Sequence, residues 1–203
     1  MGRELQSKSP MPIKESFLYR GRGWDVGSYV YSARKLERYD LVLFMNSQAR
    51  FKTESALEKI LQAWTELPSG MIGLSSSFEV TPHVRTSAFG IPPKLLLEHA
   101  SNVRSRYEAC VFEHSPSSIT SGLSAKGLPV RIVYSSGSRL LSNSRDIPGV
   151  FRSDQQQELL VSDRHTRLFD LANPEERVAL ENRANNLPPV GFRFRSKYIT
   201  WLL

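Results

Sequence analysis

The run Leu41-Val-Leu-Phe-Met45 is apolar at every position, with Tyr39-Asp40 before it and Asn46-Ser47-Gln48 after it. A strand of that pattern has no solvent side, so it sits in a sheet covered on both faces. This requirement narrows the architecture to helices layered over a sheet. The flanking segments supply those helices. Residues 28–38 carry Tyr29, Val30, Ala33 and Leu36 on one face and Arg34, Lys35 and Arg38 on the other, which predicts an amphipathic helix. Thr53 is placed to cap a helix running to Glu66, with Ala56, Leu57, Ile60, Leu61 and Trp64 toward the core, and Pro68-Ser-Gly70 stops it.

Residues 71–74 and 84–91 read as further strands, and Pro92-Pro93 opens a helix to about residue 107. A short strand is expected at 109–112, a helix at 119–126 closed by Gly127, and a strand at 130–134. A Ser/Arg-rich loop over 135–152 is followed by helical stretches at 154–161 and 174–184. Strands alternating with helices predict an α/β fold, with 41–45, 71–74, 84–91 and 130–134 in one sheet. The expected organisation is a loose lead-in over 1–18, one domain over 19–186, and a basic, aromatic tail over 187–203.

Charge and cysteine content limit the chemistry. Lys plus Arg number 27 against 20 for Asp plus Glu, a formal net charge of +7, which suits anionic partners: nucleic acid, acidic lipid or the phosphates of a sugar nucleotide. No aromatic-basic RNA-binding signature, zinc finger or helix-turn-helix pattern is present, so nucleic acid is not the expected partner. The single Cys110 excludes an intramolecular disulfide and a multi-cysteine zinc cluster. His83, His99, His114 and His165 lack metal-binding spacing, so no metal site is expected from them. No apolar run reaches the ~18 residues of a membrane span, and the polar start lacks an apolar core. The expected location is the cytoplasm or the cytoplasmic face of a membrane, with peripheral membrane association compatible with the charge.

Three segments could carry a site. Arg20-Gly-Arg-Gly-Trp-Asp-Val-Gly27 places glycines and arginines just before a helix, where backbone and guanidinium groups can meet phosphate; a merely tight turn is the competing reading. Asn46-Ser47-Gln48 ends a buried strand, and open α/β sheets bind ligands at that edge; the alternative is a plain polar loop. Glu113-His114 follows Cys110-Val-Phe112, and a carboxylate there could deprotonate a hydroxyl or simply face solvent. The serines at 47 and 75–77 lack a Gly-x-Ser-x-Gly setting, so a nucleophilic hydrolase is not supported.

The order of these segments carries more than any one of them. Gly23-Trp-Asp-Val-Gly-Ser-Tyr29 followed by Tyr39-Asp-Leu-Val-Leu-Phe-Met-Asn-Ser47 resembles the middle of glycosyltransferases of the rhamnan-synthesis and family 2 kind. His83-Val-Arg-Thr-Ser-Ala-Phe89, Tyr107-Glu-Ala-Cys-Val-Phe-Glu-His114, Gly127-Leu-Pro-Val-Arg-Ile-Val-Tyr134, Phe151-Arg-Ser-Asp-Gln155 and Leu159-Leu-Val-Ser-Asp163 are similar to later blocks of the same proteins, in the same order. The likeness covers roughly residues 19–185, without a counterpart of the first strand-helix units before Tyr19.

The resemblance implies a partial nucleotide-diphosphosugar transferase fold, a mixed, mostly parallel sheet between helices. It implies transfer of a sugar from a nucleotide-sugar donor to a saccharide or other hydroxyl acceptor, by inversion. Glu113 would be the catalytic base, Arg22 (or Arg20), Asp25, Asn46, Ser47 and Gln48 would face the donor, and Arg85 and His114 the acceptor. Relatives often hold a divalent cation on an Asp-x-Asp motif. Here the triplet is Asn-Ser-Gln, so no metal residues are assigned and no cofactor is required. The competing expectation is a non-catalytic basic module, or a transferase fragment, that recognises polysaccharide or an anionic surface.

Overall fold

The computed structural model describes residues 16–100 and 103–188. In chain order the elements are α1 (Trp24–Ala33), β1 (Val42–Met45), β2 (Arg50–Phe51), α2 (Ala56–Glu66), β3 (Met71–Gly73), β4 (Ser76–Ser77), β5 (His83–Val84), β6 (Ala88–Ile91) and α3 (Pro93–His99). They continue with α4 (Arg106–His114), α5 (Ile119–Ala125), β7 (Val130–Tyr134), β8 (Gly137–Leu140), β9 (Val161–Ser162), α6 (Arg164–Leu171) and α7 (Pro174–Ala184). The expected lead-in and tail fall largely outside the described residues.

The fold is α/β, and one sheet, in the order β1-β6-β3-β7-β8, takes strands from all four expected regions, although of 84–91 only Ala88–Ile91 joins it and Val84 pairs separately in β5. Its direction differs from the expectation. Strand β6 runs antiparallel to both β1 and β3, β8 runs antiparallel to β7, and only β3 and β7 pair in parallel among the described residues. The cause is the connection. A parallel neighbour needs a connection of a dozen or more residues, and the chain between the parallel strands β3 and β7 supplies it through β4–β6 and α3–α5. Between β3 and β6 the chain instead folds back through the short β4–β5 pair, where Ser76 faces Val84 and Ser77 faces His83.

Other differences have local reasons. Residues 84–91 form two strands, because the chain breaks at Arg85-Thr86-Ser87, which turn into the polar interior. Residues 109–112 are helical, since the Ser105 side chain accepts from the Glu108 N–H and starts α4. The helix expected after Pro92-Pro93 therefore ends at His99, well short of residue 107. No helix forms over 154–161: Arg152, Asp154 and Gln156 all hold left-handed φ values (56°, 48° and 52°), which a right-handed helix cannot contain. Part of the expected loop over 135–152 is the exposed edge strand β8, joined to β7 by a tight turn. Helix α6 lacks an expected counterpart; Asp163 and Thr166 start it with a reciprocal capping box.

One core cluster brings Tyr29 of α1 against Phe44 of β1 and Phe89 of β6, with ring centroids 5.3, 5.6 and 5.5 Å apart. Such aromatic contacts add to ordinary area burial and fix α1 on one face of the sheet. The opposite face is covered by α2 through Ala56, Ile60 and Ala63. Leu57 and Leu61, expected inside, are 38% and 57% exposed, because the inward stripe follows the small residues. The small side chains let α2 lie close to the sheet.

Candidate functional site

The carboxyl end of β1, the chain break before β6, the start of α1 and the end of α4 meet in one polar region. Its scaffold is the aromatic cluster. The Tyr29 hydroxyl donates to the Thr86 carbonyl at 3.2 Å, and the Thr86 N–H in turn donates to Glu113 Oε1 at 2.7 Å. Burial, with Asp25 and Glu113 nearby, pushes the Tyr29 hydroxyl well above its ordinary range, so it stays a protonated donor. Glu113 thus projects from the last turn of a helix, α4, and not from a strand end; its carboxylate is about 20% exposed.

Beside it stands a directed pair of imidazoles. His83 Nδ1 lies 2.7 Å from the Thr81 carbonyl, which can only accept, so that nitrogen carries the ring proton. His83 Nε2 is then an acceptor and takes the Nδ1–H of His114 at 3.2 Å, which leaves His114 Nε2 facing Glu113 Oε2 at 3.5 Å. Burial holds His83 below the ordinary imidazole range despite the upward pull of Glu113, so His83 acts as a neutral acceptor. Sequence spacing offered no signal for this pair, which tertiary packing alone creates.

Asn46 completes the near side. Its Oδ1 accepts the Gln48 N–H at 3.0 Å, its own N–H donates to the Ser87 carbonyl at 3.0 Å beside Thr86, and its side chain neighbours the Asp25 carboxyl. Burial raises Asp25, the Asn46 contact opposes that, and the charge on Glu113 raises it further. The structure therefore brings Asp25, Asn46, Glu113 and His114 together. Ser47 and Gln48 are engaged by other segments of the same chain: Arg50 donates to the Ser47 carbonyl at 2.8 Å, and Arg167 donates to the Gln48 carbonyl and Oε1 at 3.1 and 3.2 Å.

Two expectations change at this point. Arg85 is buried and forms an ion pair with Asp163 at 2.8 Å, stacked 3.7 Å from the Phe151 ring centroid, so it is committed to the interior and does not line an acceptor surface. The glycines ahead of α1 are explained by packing. A Cβ on Gly21 or Gly27 would run into the Tyr19 side chain, and one on Gly23 into the Val103 carbonyl. Arg22 itself is exposed.

Asp163, Arg152 and His165 were not singled out from the sequence. Burial alone would raise the Asp163 carboxyl, but Arg85, the Thr166 N–H and Ser87 hold it down at about 2. A short Ser-Asp pair after an apolar run gave the only sequence hint.

A divalent cation does not fit the strand end. Asn46, Ser47 and Gln48 offer neutral oxygens, and arginines already occupy the Ser47 and Gln48 carbonyls. No group of three or more His, Cys, Asp or Glu side chains arranged to hold a metal occurs among the described residues. No helix among them is long and apolar enough to cross a membrane. In comparisons with family models, curated proteins and solved structures, nothing matches this chain.

Proposed function

We propose that this chain is a glycosyltransferase domain that moves a sugar from a nucleotide-sugar donor to a hydroxyl acceptor, and that its sheet is a partial nucleotide-diphosphosugar transferase fold. The observation that carries the reading is the meeting of Glu113 with Asn46 and Asp25 at the carboxyl end of the edge strand β1, where Asn46 bonds Ser87 and Glu113 bonds the adjacent Thr86. That is where open α/β sheets bind ligands. The ordered resemblance of the sequence supports the same reading.

In this proposal Glu113 takes the proton from the acceptor hydroxyl as its oxygen attacks the sugar C1 and the bond to the nucleoside diphosphate breaks. The Thr86 N–H fixes one carboxylate oxygen and leaves Oε2 on the His114 side to receive the proton. Asn46 and Asp25 face the donor, and exposed Arg22 at the start of α1 adds positive charge for the diphosphate. No step is routed through a metal.

Donor turnover with a panel of nucleotide sugars tests the reading. Glu113→Gln keeps the size and the hydrogen bond to Thr86 but removes the proton acceptor, so turnover falls by about 10²–10⁴ while donor binding persists. Wild-type turnover continues in EDTA. Equal rates for the two proteins would remove Glu113 as the base. A wild type that binds saccharide and turns over no donor would favour the basic binding module.

A further inference from the structure

We infer that Arg152 and His165 form an anion site at the rim of the Glu113 region, and that its ligand is the diphosphate of a nucleotide; the choice of ligand rests on the transferase reading above. The inference starts from charge pairing. Arg85 has Asp163 at 2.8 Å, and Arg183 has Glu79 at 2.5 Å, so each of these carboxylates already serves a guanidinium. Arg152 is only 7% exposed, and among the described residues no carboxylate lies within ion-pair distance of it. Its Nε is buried without a hydrogen-bond partner. A buried guanidinium is expected to be paired and hydrogen-bonded, so this one has capacity left over.

The partner it does have is informative. Arg152 Nη2 lies 3.3 Å from His165 Nδ1. A guanidinium can only donate, so Nδ1 is the bare nitrogen and Nε2 carries the proton. Burial, with Arg85 and Arg152 close by, holds His165 down at about 4, and Arg152, although lowered by burial to about 10, keeps its charge at neutral pH. The pair therefore offers one full positive charge and one fixed N–H donor. The ring packs against Arg152, while the residue as a whole reaches the surface.

Position ties the pair to the candidate site. His165 stands in the first turn of α6, and Arg167 of that helix grips Gln48 in the loop that follows β1. Arg85, next in the chain to the Thr86 whose N–H holds Glu113, pairs with Asp163 at the start of the same helix. The first N–H groups of α6 are already taken by Asp163 Oδ1, at 2.8 and 2.9 Å, so the side chains and not the helix end make the site. A departing diphosphate needs positive charge, and a strand end unsuited to a cation leaves guanidinium as the group that can supply it.

Calorimetric titration of the full chain with inorganic pyrophosphate, orthophosphate and uridine diphosphate tests the site. The wild type binds pyrophosphate and uridine diphosphate at least tenfold more tightly than orthophosphate. His165→Ala, an exposed change, weakens pyrophosphate about fivefold or more. Arg152→Lys, which keeps charge but loses the planar fork, weakens it about tenfold. Lys126→Ala, a surface charge paired with Glu98, retains wild-type affinity. Circular dichroism establishes that each variant is folded. Unchanged affinity in folded His165→Ala, or no binding of the three anions by the wild type, overturns the site. Orthophosphate binding as tightly as pyrophosphate overturns the diphosphate assignment. Pyrophosphate binding that depends on both residues, in a protein that turns over no donor, supports the anion site while refuting the transferase reading.

Discussion

Replacing Asp163 by Asn separates the buried ion pair from the helix cap that the same side chain makes. Asp163 Oδ1 accepts the His165 and Thr166 N–H groups at 2.8 and 2.9 Å, while Oδ2 faces Arg85 at 2.8 Å. Asn caps a helix as well as Asp does, so Oδ1 keeps its role. The new amide instead points donors at a guanidinium that is itself all donors. Both side chains are buried, at 9% and 3% exposure, so water cannot rescue Arg85. Breaking a buried pair in this way costs about 3–5 kcal/mol.

Proton linkage gives a second handle on the same pair. The carboxyl falls from 3.8 unfolded to about 2 folded, which at about 1.36 kcal/mol per tenfold change in proton affinity amounts to about 2–3 kcal/mol. The folded value is depressed, so this stability is fully present above about pH 4 and is lost as pH falls through about 2. Urea unfolding of wild type and Asp163→Asn at pH 6 and at pH 2 reads both quantities. The gap at pH 6 is about 3–5 kcal/mol and narrows by about 2 kcal/mol at pH 2. A gap below about 1 kcal/mol at pH 6, or one that stays constant with pH, would refute the reasoning.

Two further outcomes follow from particular positions. Gly70 sits at φ 76°, and a Cβ there would meet the Pro129 carbonyl, so Gly70→Ala lowers stability by about 1–3 kcal/mol in a thermal or urea melt. A variant as stable as the wild type would mean the turn into β3 relaxes freely. Arg22→Ala weakens nucleotide-sugar affinity by about 1.5–3 kcal/mol if the arginine makes a charge-assisted phosphate contact, as calorimetry would show. Unchanged affinity would leave the turn with the packing role its glycines already have.

The sequence by itself determined the layers. A run apolar at every position, such as Leu41-Val-Leu-Phe-Met45, belongs in a sheet, and Val42–Met45 does lie in one, but as its edge strand, where Phe44 alone is fully buried and the other side chains are half-buried. Pro174 and Asn173 likewise mark the start of α7, because a cap acts within one turn of the chain. Of the candidate site, Asp25, Asn46, Glu113 and His114 could be picked out as residue types with suitable chemistry. What placed them together was not local.

Only the tertiary structure decided strand direction, since a buried strand has the same composition in either sense, and the β4–β5 fold-back reversed β6. It also decided that 109–112 coil into a helix, carrying Glu113 to the Thr86 N–H 27 residues away in sequence. The His83–His114 and Arg85–Asp163 pairs span 31 and 78 positions, so no periodicity links their members. Periodicity reports which face of an element is buried. Which polar groups then meet in the interior depends on how distant elements cross, and that is fixed by packing.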